Sequence, residues 1–217
     1  MTDEKHFVID ENGVILGYDG TETNVIIPTT IHGIAARIIG EKAFAEKNLE
    51  SITIPEGIIE ISEYAFYFSG IRSVHFPESL LKIGGWTFQT NLLSSIVIPN
   101  GVIEIGNYAF HDNDISHLVL PKNLKKIGDS SFAVNALEEL NIPQSVIEIG
   151  EEAFAYNELK KITIGSDVIF SSSSLPPEDF DELMHPIFDN GFDDFYKESE
   201  KKAGVYFLNG ENWERIE

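Results

Sequence analysis

The chain has 217 residues, 42% of them hydrophobic, and no cysteine, which is enough apolar material for one elongated core and excludes disulfides and thiolate metal sites. Its formal charge is −21, with 36 acids against 15 basic residues, so phosphate backbones and anionic lipid surfaces should repel it. No stretch approaches the roughly 20 apolar residues of a membrane-spanning helix.

The N-terminal segment 1–27 reads as a cap. Residues 7–27 are expected to form a hairpin turning at Glu11-Asn12-Gly13, where asparagine and glycine tolerate positive φ. The first residues lack the basic-then-apolar pattern of a secretory leader, an expectation that favours the cytoplasm.

From 28 to 170 the chain repeats. Pro55, Pro77, Pro99, Pro121 and Pro143 succeed one another at 22-residue steps, and so do Phe44, Phe66, Phe88, Phe110, Phe132 and Phe154. The interval from Pro28 to Pro55 is 27, with the surplus near Ile31-His32-Gly33-Ile34. A small residue precedes each phenylalanine, and Ile-Gly lies upstream at Ile39-Gly40, Ile83-Gly84, Ile105-Gly106, Ile127-Gly128 and Ile149-Gly150, with Ile61-Ser62 as the variant. Within one unit, Leu137, Leu140 and Ile142 alternate as in a half-buried strand, Pro143 ends that strand, Val146 and Ile149 point inward, Gly150 permits a tight bend, and Ala153-Phe154 close the coil. Stacked units share one core, with Thr53, His75, Val97, Val119, Asn141 and Thr163 side by side in parallel strands of one sheet. Asn91, Asn113, Asn135 and Asn157 recur three residues after each phenylalanine, with Lys47 and Ser69 in the first two coils. They read as an internal ladder serving backbone groups and the amide of the next coil.

These residues, in the pattern L-x-x-I-x-I-P-x-x-V-x-x-I-G-x-x-A-F-x-x-N, resemble the BspA-like class of leucine-rich repeats, closely so over 28–164. The flanks Phe7 to Pro28, and Lys201 to Tyr206 with Gly210 and Trp213, are similar to segments found around such arrays. The resemblance implies a leucine-rich-repeat solenoid, a right-handed coil of short parallel strands with an N-terminal hairpin cap and a C-terminal α/β cap. It also implies a bacterial cell-surface or secreted protein that binds a protein or a glycan, with no shared catalytic residues and no cofactor.

Residues 171–217 are strongly acidic and read as the C-terminal cap. Ser171 to Pro177 form a loop, one helix opens at Pro177-Glu178-Asp179, and a second runs from Phe192 to Ala203 and stops at Gly204. Val205–Leu208 and Trp213–Ile216 pair through Asn209-Gly210. Asp189, Asn190, Asp193 and Asp194 lack the spacing of a calcium loop, and no metal site is expected.

Three surface regions are candidates for function. Ser51, Ser73, Ser95, His117, Glu139 and Lys161 share one position, next to Thr53, His75, Val97, Val119, Asn141 and Thr163. Ser95, His117 and Glu139 stand in the order nucleophile, base, acid, the one hydrolase alternative. A flat sheet neither excludes water nor offers oxyanion donors, so a solvated polar face is the expected role and the chain is read as non-enzymatic. Glu60, Lys82, Glu104, Lys126 and Glu148 alternate in sign and should support the register, beside an apolar column of Ile59, Leu81, Ile103, Lys125 and Ile147. Tyr64, Trp86 and Tyr108, with Tyr67 and Phe68 adding bulk, share a position held elsewhere by Lys42, Ser130 and Glu152. The expected partner-binding residues are therefore Tyr64, Trp86, Tyr108, His75, His117 and Glu139, with a structural spacer as the alternative role.

Overall fold

The computed structural model describes residues 1–171, 188 and 191–216. Each repeat makes one flattened coil with two short strands, and the core lies between the two strand stacks. One stack is a nine-stranded sheet. It starts with the antiparallel hairpin Phe7–Ile9/Val14–Tyr18 and continues in parallel through Ile38–Ile39, Glu60–Ile61, Lys82–Ile83, Glu104–Ile105, Lys126–Ile127, Glu148–Ile149 and Ile169–Phe170. The hairpin turns with Gly13 at φ 82°. The five extra residues of the first coil form a second small hairpin, Thr30–Ile31 against Ile34–Ala35.

The other stack comes first in each coil: Asn24–Ile26, Ser51–Thr53, Ser73–His75, Ser95–Val97, His117–Val119, Glu139–Asn141 and Lys161–Ile164. Its strands are parallel where they pair, but they do not make the single sheet expected from the repeat. The ladder falls into three blocks, broken between Ser73–His75 and Ser95–Val97 and again between His117–Val119 and Glu139–Asn141. Both breaks come after a coil whose residue beyond the strand is not isoleucine. Phe76 and Leu120 stand where other coils carry Ile54, Ile98, Ile142 and Ile164. The β-branched side chain fits the pleat, whereas the Phe76 ring turns edge-on to Phe88 at 5.6 Å.

The proline ends the strand as expected, and its carbonyl accepts the amide three residues on, at 3.0–3.4 Å in the five coils from Pro55 to Pro143. The glycine column works differently from a tight bend. Gly106 has no positive φ; a Cβ there would lie 2.5 Å from the Gly85 amide nitrogen and 2.6 Å from the Gly84 carbonyl carbon. The column lets adjacent backbones approach closely. The bends are made by side-chain-bearing residues. Each coil has two left-handed residues four apart, as in Trp86 and Thr90 (φ 53° each), Tyr108 and Asp112 (57° and 56°) and Ser130 and Val134 (49° and 55°).

Phenylalanines stack down the centre. From Tyr18 through Phe44, Phe66, Phe88, Phe110, Phe132 and Phe154 to Phe188, successive centroids lie 4.9–5.6 Å apart. The asparagines do form a ladder, but one running through backbone groups and not through neighbouring side-chain amides. Asn91 Nδ2 donates to the carbonyls of Phe66, Phe88 and Gln89, and its Oδ1 accepts the Ile71 amide. Asn113, Asn135 and Asn157 repeat this set, and Ser69 Oγ donates to the Phe44 carbonyl in the same way.

The helix of the C-terminal cap spans Phe192–Glu198, shorter than the expected run to Ala203. Glu200 and Lys201 turn left-handed, and the Lys201 amide donates to the Tyr196 carbonyl, reversing the chain. Gly204–Asn209 then pairs antiparallel with Lys161–Ile164, and Asn212–Arg215 closes the hairpin. Phe188, Phe192, Tyr196, Tyr206 and Trp213 are buried over the last coil. The expected helix at Pro177-Glu178-Asp179 lies outside the described residues.

Candidate functional site

Two repeat positions set up the most distinctive surface. The first lies just before the two-residue strand. Backbone bonds from Ile59 to Arg37, Leu81 to Ile59, Lys125 to Ile103 and Ile147 to Lys125 hold this column in register. Ile59, Leu81 and Ile103 are exposed, at 38%, 51% and 51%, and this three-coil apolar stripe is bounded by exposed Arg37 and Lys125. The next turn of each coil does not cover it, and it is open to solvent.

The second position is the first left-handed residue of each coil. Trp86 stacks between Tyr64 (5.1 Å, 8°) and Tyr108 (5.4 Å, 7°), and all three are partly exposed. Lys42 Nζ lies 5.3 Å from the Tyr64 ring centre and caps this short stack. Both faces of Trp86 are therefore occupied by neighbours, and what it shows outward is its edge.

Between these columns run the alternating charges. Lys82 Nζ meets Glu60 at 2.8 Å and Lys126 Nζ meets Glu148 at 2.8 Å. Glu60 and Glu148 accordingly hold the two ammonium groups above their ordinary range. Glu104, between two lysines each bonded to the acid on its far side, has no ion-pair partner among the described residues. A groove of 510 Å³ lies here, lined by Glu60, Lys82, Glu104 and Lys126 on the strand side and by Glu63, Gly85, Trp86 and Asn107 at the bend. Gly85 interrupts a column that otherwise reads Glu41, Glu63, Asn107, Asp129 and Glu151. That interruption was readable from the repeat alignment, yet the groove was not anticipated. Of the candidate residues, the groove contains only Trp86.

His75, His117 and Glu139 lie on the other strand stack, so the candidate set is not one site. Ser95 and His117 are ladder partners, but His117 Nδ1 is bonded to Ser116 Oγ at 3.1 Å and Glu139 to Lys161 Nζ at 3.0 Å. The sheet is broken between His117 and Glu139, and among the described residues no relay joins the three. No group of three histidine, aspartate or glutamate side chains is placed to hold a metal ion among the described residues. Asp189 and Asn190 lie outside them, while Asp193 is buried and accepts the Phe188 amide at 3.2 Å.

Comparison with known proteins agrees with the architecture. A leucine-rich repeat protein of T. pallidum is 23% identical, covering 79% of this chain and 84% of that one, with a TM-score of 0.66. The pneumococcal vaccine antigen PcpA is 23% identical over 74% of this chain, with a TM-score of 0.61, and the match spans 48% of that protein. At these identities the likeness shows the fold alone. No curated protein matches the chain. The BspA-type leucine rich repeat region matches residues 37–160 in six copies, more than half of the sequence, and the chain belongs to that bacterial leucine-rich-repeat family.

Proposed function

We propose that this chain is a non-catalytic binding module that docks a protein partner on the patch made by Ile59, Leu81, Ile103, Trp86 and the intervening groove. One observation carries this reading. The aromatic column, which ends at Lys42 and Ser130, coincides with the three coils over which the apolar stripe runs unbroken between Arg37 and Lys125, before that stripe resumes at Ile147 and Ile169. Solenoid stability alone asks for no such coincidence, since each coil needs only its neighbours. An exposed apolar stripe beside a polar groove has the character of a docking surface. A protein fits better than a glycan, because both faces of Trp86, the largest ring of the column, are already used within the Tyr64–Trp86–Tyr108 stack. The net charge of −21 disfavours nucleic acid and anionic membranes as partners. Family membership favours display at the bacterial surface.

The test places a photo-crosslinking residue at Leu81 or, on the other stack, at Asn141, and exposes both proteins to extracts of the source cells and their surroundings. A discrete adduct at 81 and none at 141 supports the patch. An adduct confined to 141 moves the site to the His75/His117/Glu139 face, and none at either position supports the spacer role.

A further inference from the structure

We infer that the patch selects a basic, amphipathic protein segment, whose lysine or arginine side chain enters the groove beside Trp86 while its apolar residues lie on Ile59, Leu81 and Ile103. This rests on the docking reading above and specifies its partner's chemistry. The lining carries four carboxylates, Glu41, Glu60, Glu63 and Glu104, against two ammonium groups. Those two are spent: Lys82 bonds Glu60, and Lys126 bonds Glu148 outside the groove. Glu63 and Glu104 are exposed and have no ion-pair partner among the described residues, one on either side of the gap left by Gly85. The gap leaves room at the centre of the acidic lining, and a side chain with a long apolar stem and a cationic head suits it.

The carboxylates hold the cation, not the indole ring. Cation–π attraction needs the face of a ring, and both faces of Trp86 are covered, so the groove meets only its edge. Trp86 is then a wall of the groove and a reporter of its occupancy. The apolar stripe runs beside the charged column on the same coils, so a segment alternating apolar and cationic residues satisfies both at once. The field of the whole chain draws such a segment in, and salt weakens that attraction.

The probes are three acetylated, amidated hexapeptides alternating leucine with arginine, glutamine or glutamate, titrated into the intact chain. The indole N–H resonance of Trp86 is the readout, assigned by its loss in Trp86→Phe. The leucine–arginine peptide is expected to shift it saturably, and binding should weaken about fivefold in Glu104→Gln and again in Glu63→Gln. Glu214→Gln, on the C-terminal hairpin, should bind as the parent does. Equal binding of the leucine–glutamine peptide, or unchanged binding by Glu104→Gln, overturns the cation assignment and leaves the apolar docking face standing. A shift with the leucine–glutamate peptide alone also overturns it. The absence of any shift overturns it too, and the crosslinking contrast between positions 81 and 141 then judges the docking face separately.

Discussion

Asn113 reaches back across a coil boundary to Phe88: its Nδ2 donates to the Phe88 carbonyl at 2.9 Å while its Oδ1 accepts the amide of Leu93 at 3.1 Å. Both groups are buried backbone. Asn113→Ala should therefore cost about 1–3 kcal/mol. Asn113→Asp should also destabilise, because a carboxylate cannot donate to the Phe88 and Phe110 carbonyls. Urea denaturation of both variants checks this; midpoints equal to the parent's would remove the column from the account of stability.

Phe110→Ala should cost about 3–5 kcal/mol, since the ring is fully buried between Phe88 and Phe132 and neither coil can collapse into the space. Equilibrium unfolding gives the value, and a loss near zero would show that the stacked rings are not the core.

Gly106→Ala and Gly17→Ala separate close approach from general loss of glycine. A Cβ on Gly106 meets backbone at 2.5 Å, whereas one on Gly17 meets nothing within 4 Å. Overpacking should cost the first about 1–3 kcal/mol. The second should stay within about 0.5 kcal/mol of the parent. Equal thermal midpoints for the two would refute the steric account.

Val134 is a β-branched residue at φ 55°, with its side chain 38% exposed. Asparagine visits this region readily, so Val134→Asn should stabilise by about 1 kcal/mol. Calorimetry should record a midpoint about 2–4 °C higher; a lower midpoint would mean that the valine contributes more by packing than its backbone costs.

His111 makes stability depend on pH in a definite direction. Burial holds its imidazole below the ordinary 6.5, while Asp112 and Glu152 pull more weakly the other way. The unfolded chain then binds a proton that the fold resists, so stability is full above about 6.5 and declines as pH falls from there toward the lowered folded value. The parent should lose more stability than His111→Phe between pH values on either side of 6.5, measured by urea midpoints. Identical slopes would show that the imidazole is fully solvated when charged.

The period, the core positions and the order of elements were legible in the sequence because each coil buries the same face against the same neighbours. Leu137, Leu140, Ile142, Val146, Ile149 and Phe154 are all buried as their spacing implies. The bends were not legible. Lys42, Tyr64, Trp86, Tyr108, Ser130 and Glu152 all adopt positive φ, yet none is the glycine or asparagine that signals it, since the backbone bond to the next coil outweighs local preference. Gly106 misled in the opposite sense, its role depending on a neighbouring coil and not on its own torsion angles. The groove escaped notice because its parts come from several coils and from positions on both sides of the glycine column.

The asparagine ladder also gives the array a direction. Each amide serves the coil before it: Asn157 satisfies the Leu137 amide and the Phe132 carbonyl, while its own coil depends on the one stacked after it. Removing a coil from the N-terminal end strands a side-chain donor, which can turn to water. Removing one from the C-terminal end strands buried backbone groups, which cannot. In the cap the Tyr196 hydroxyl serves different backbone groups of the last coil, donating to the Gly165 carbonyl at 2.6 Å and accepting the Val168 amide. Such a chain can be lengthened by inserting whole coils before Tyr196, but it cannot be cut short there without leaving its last turn unsatisfied.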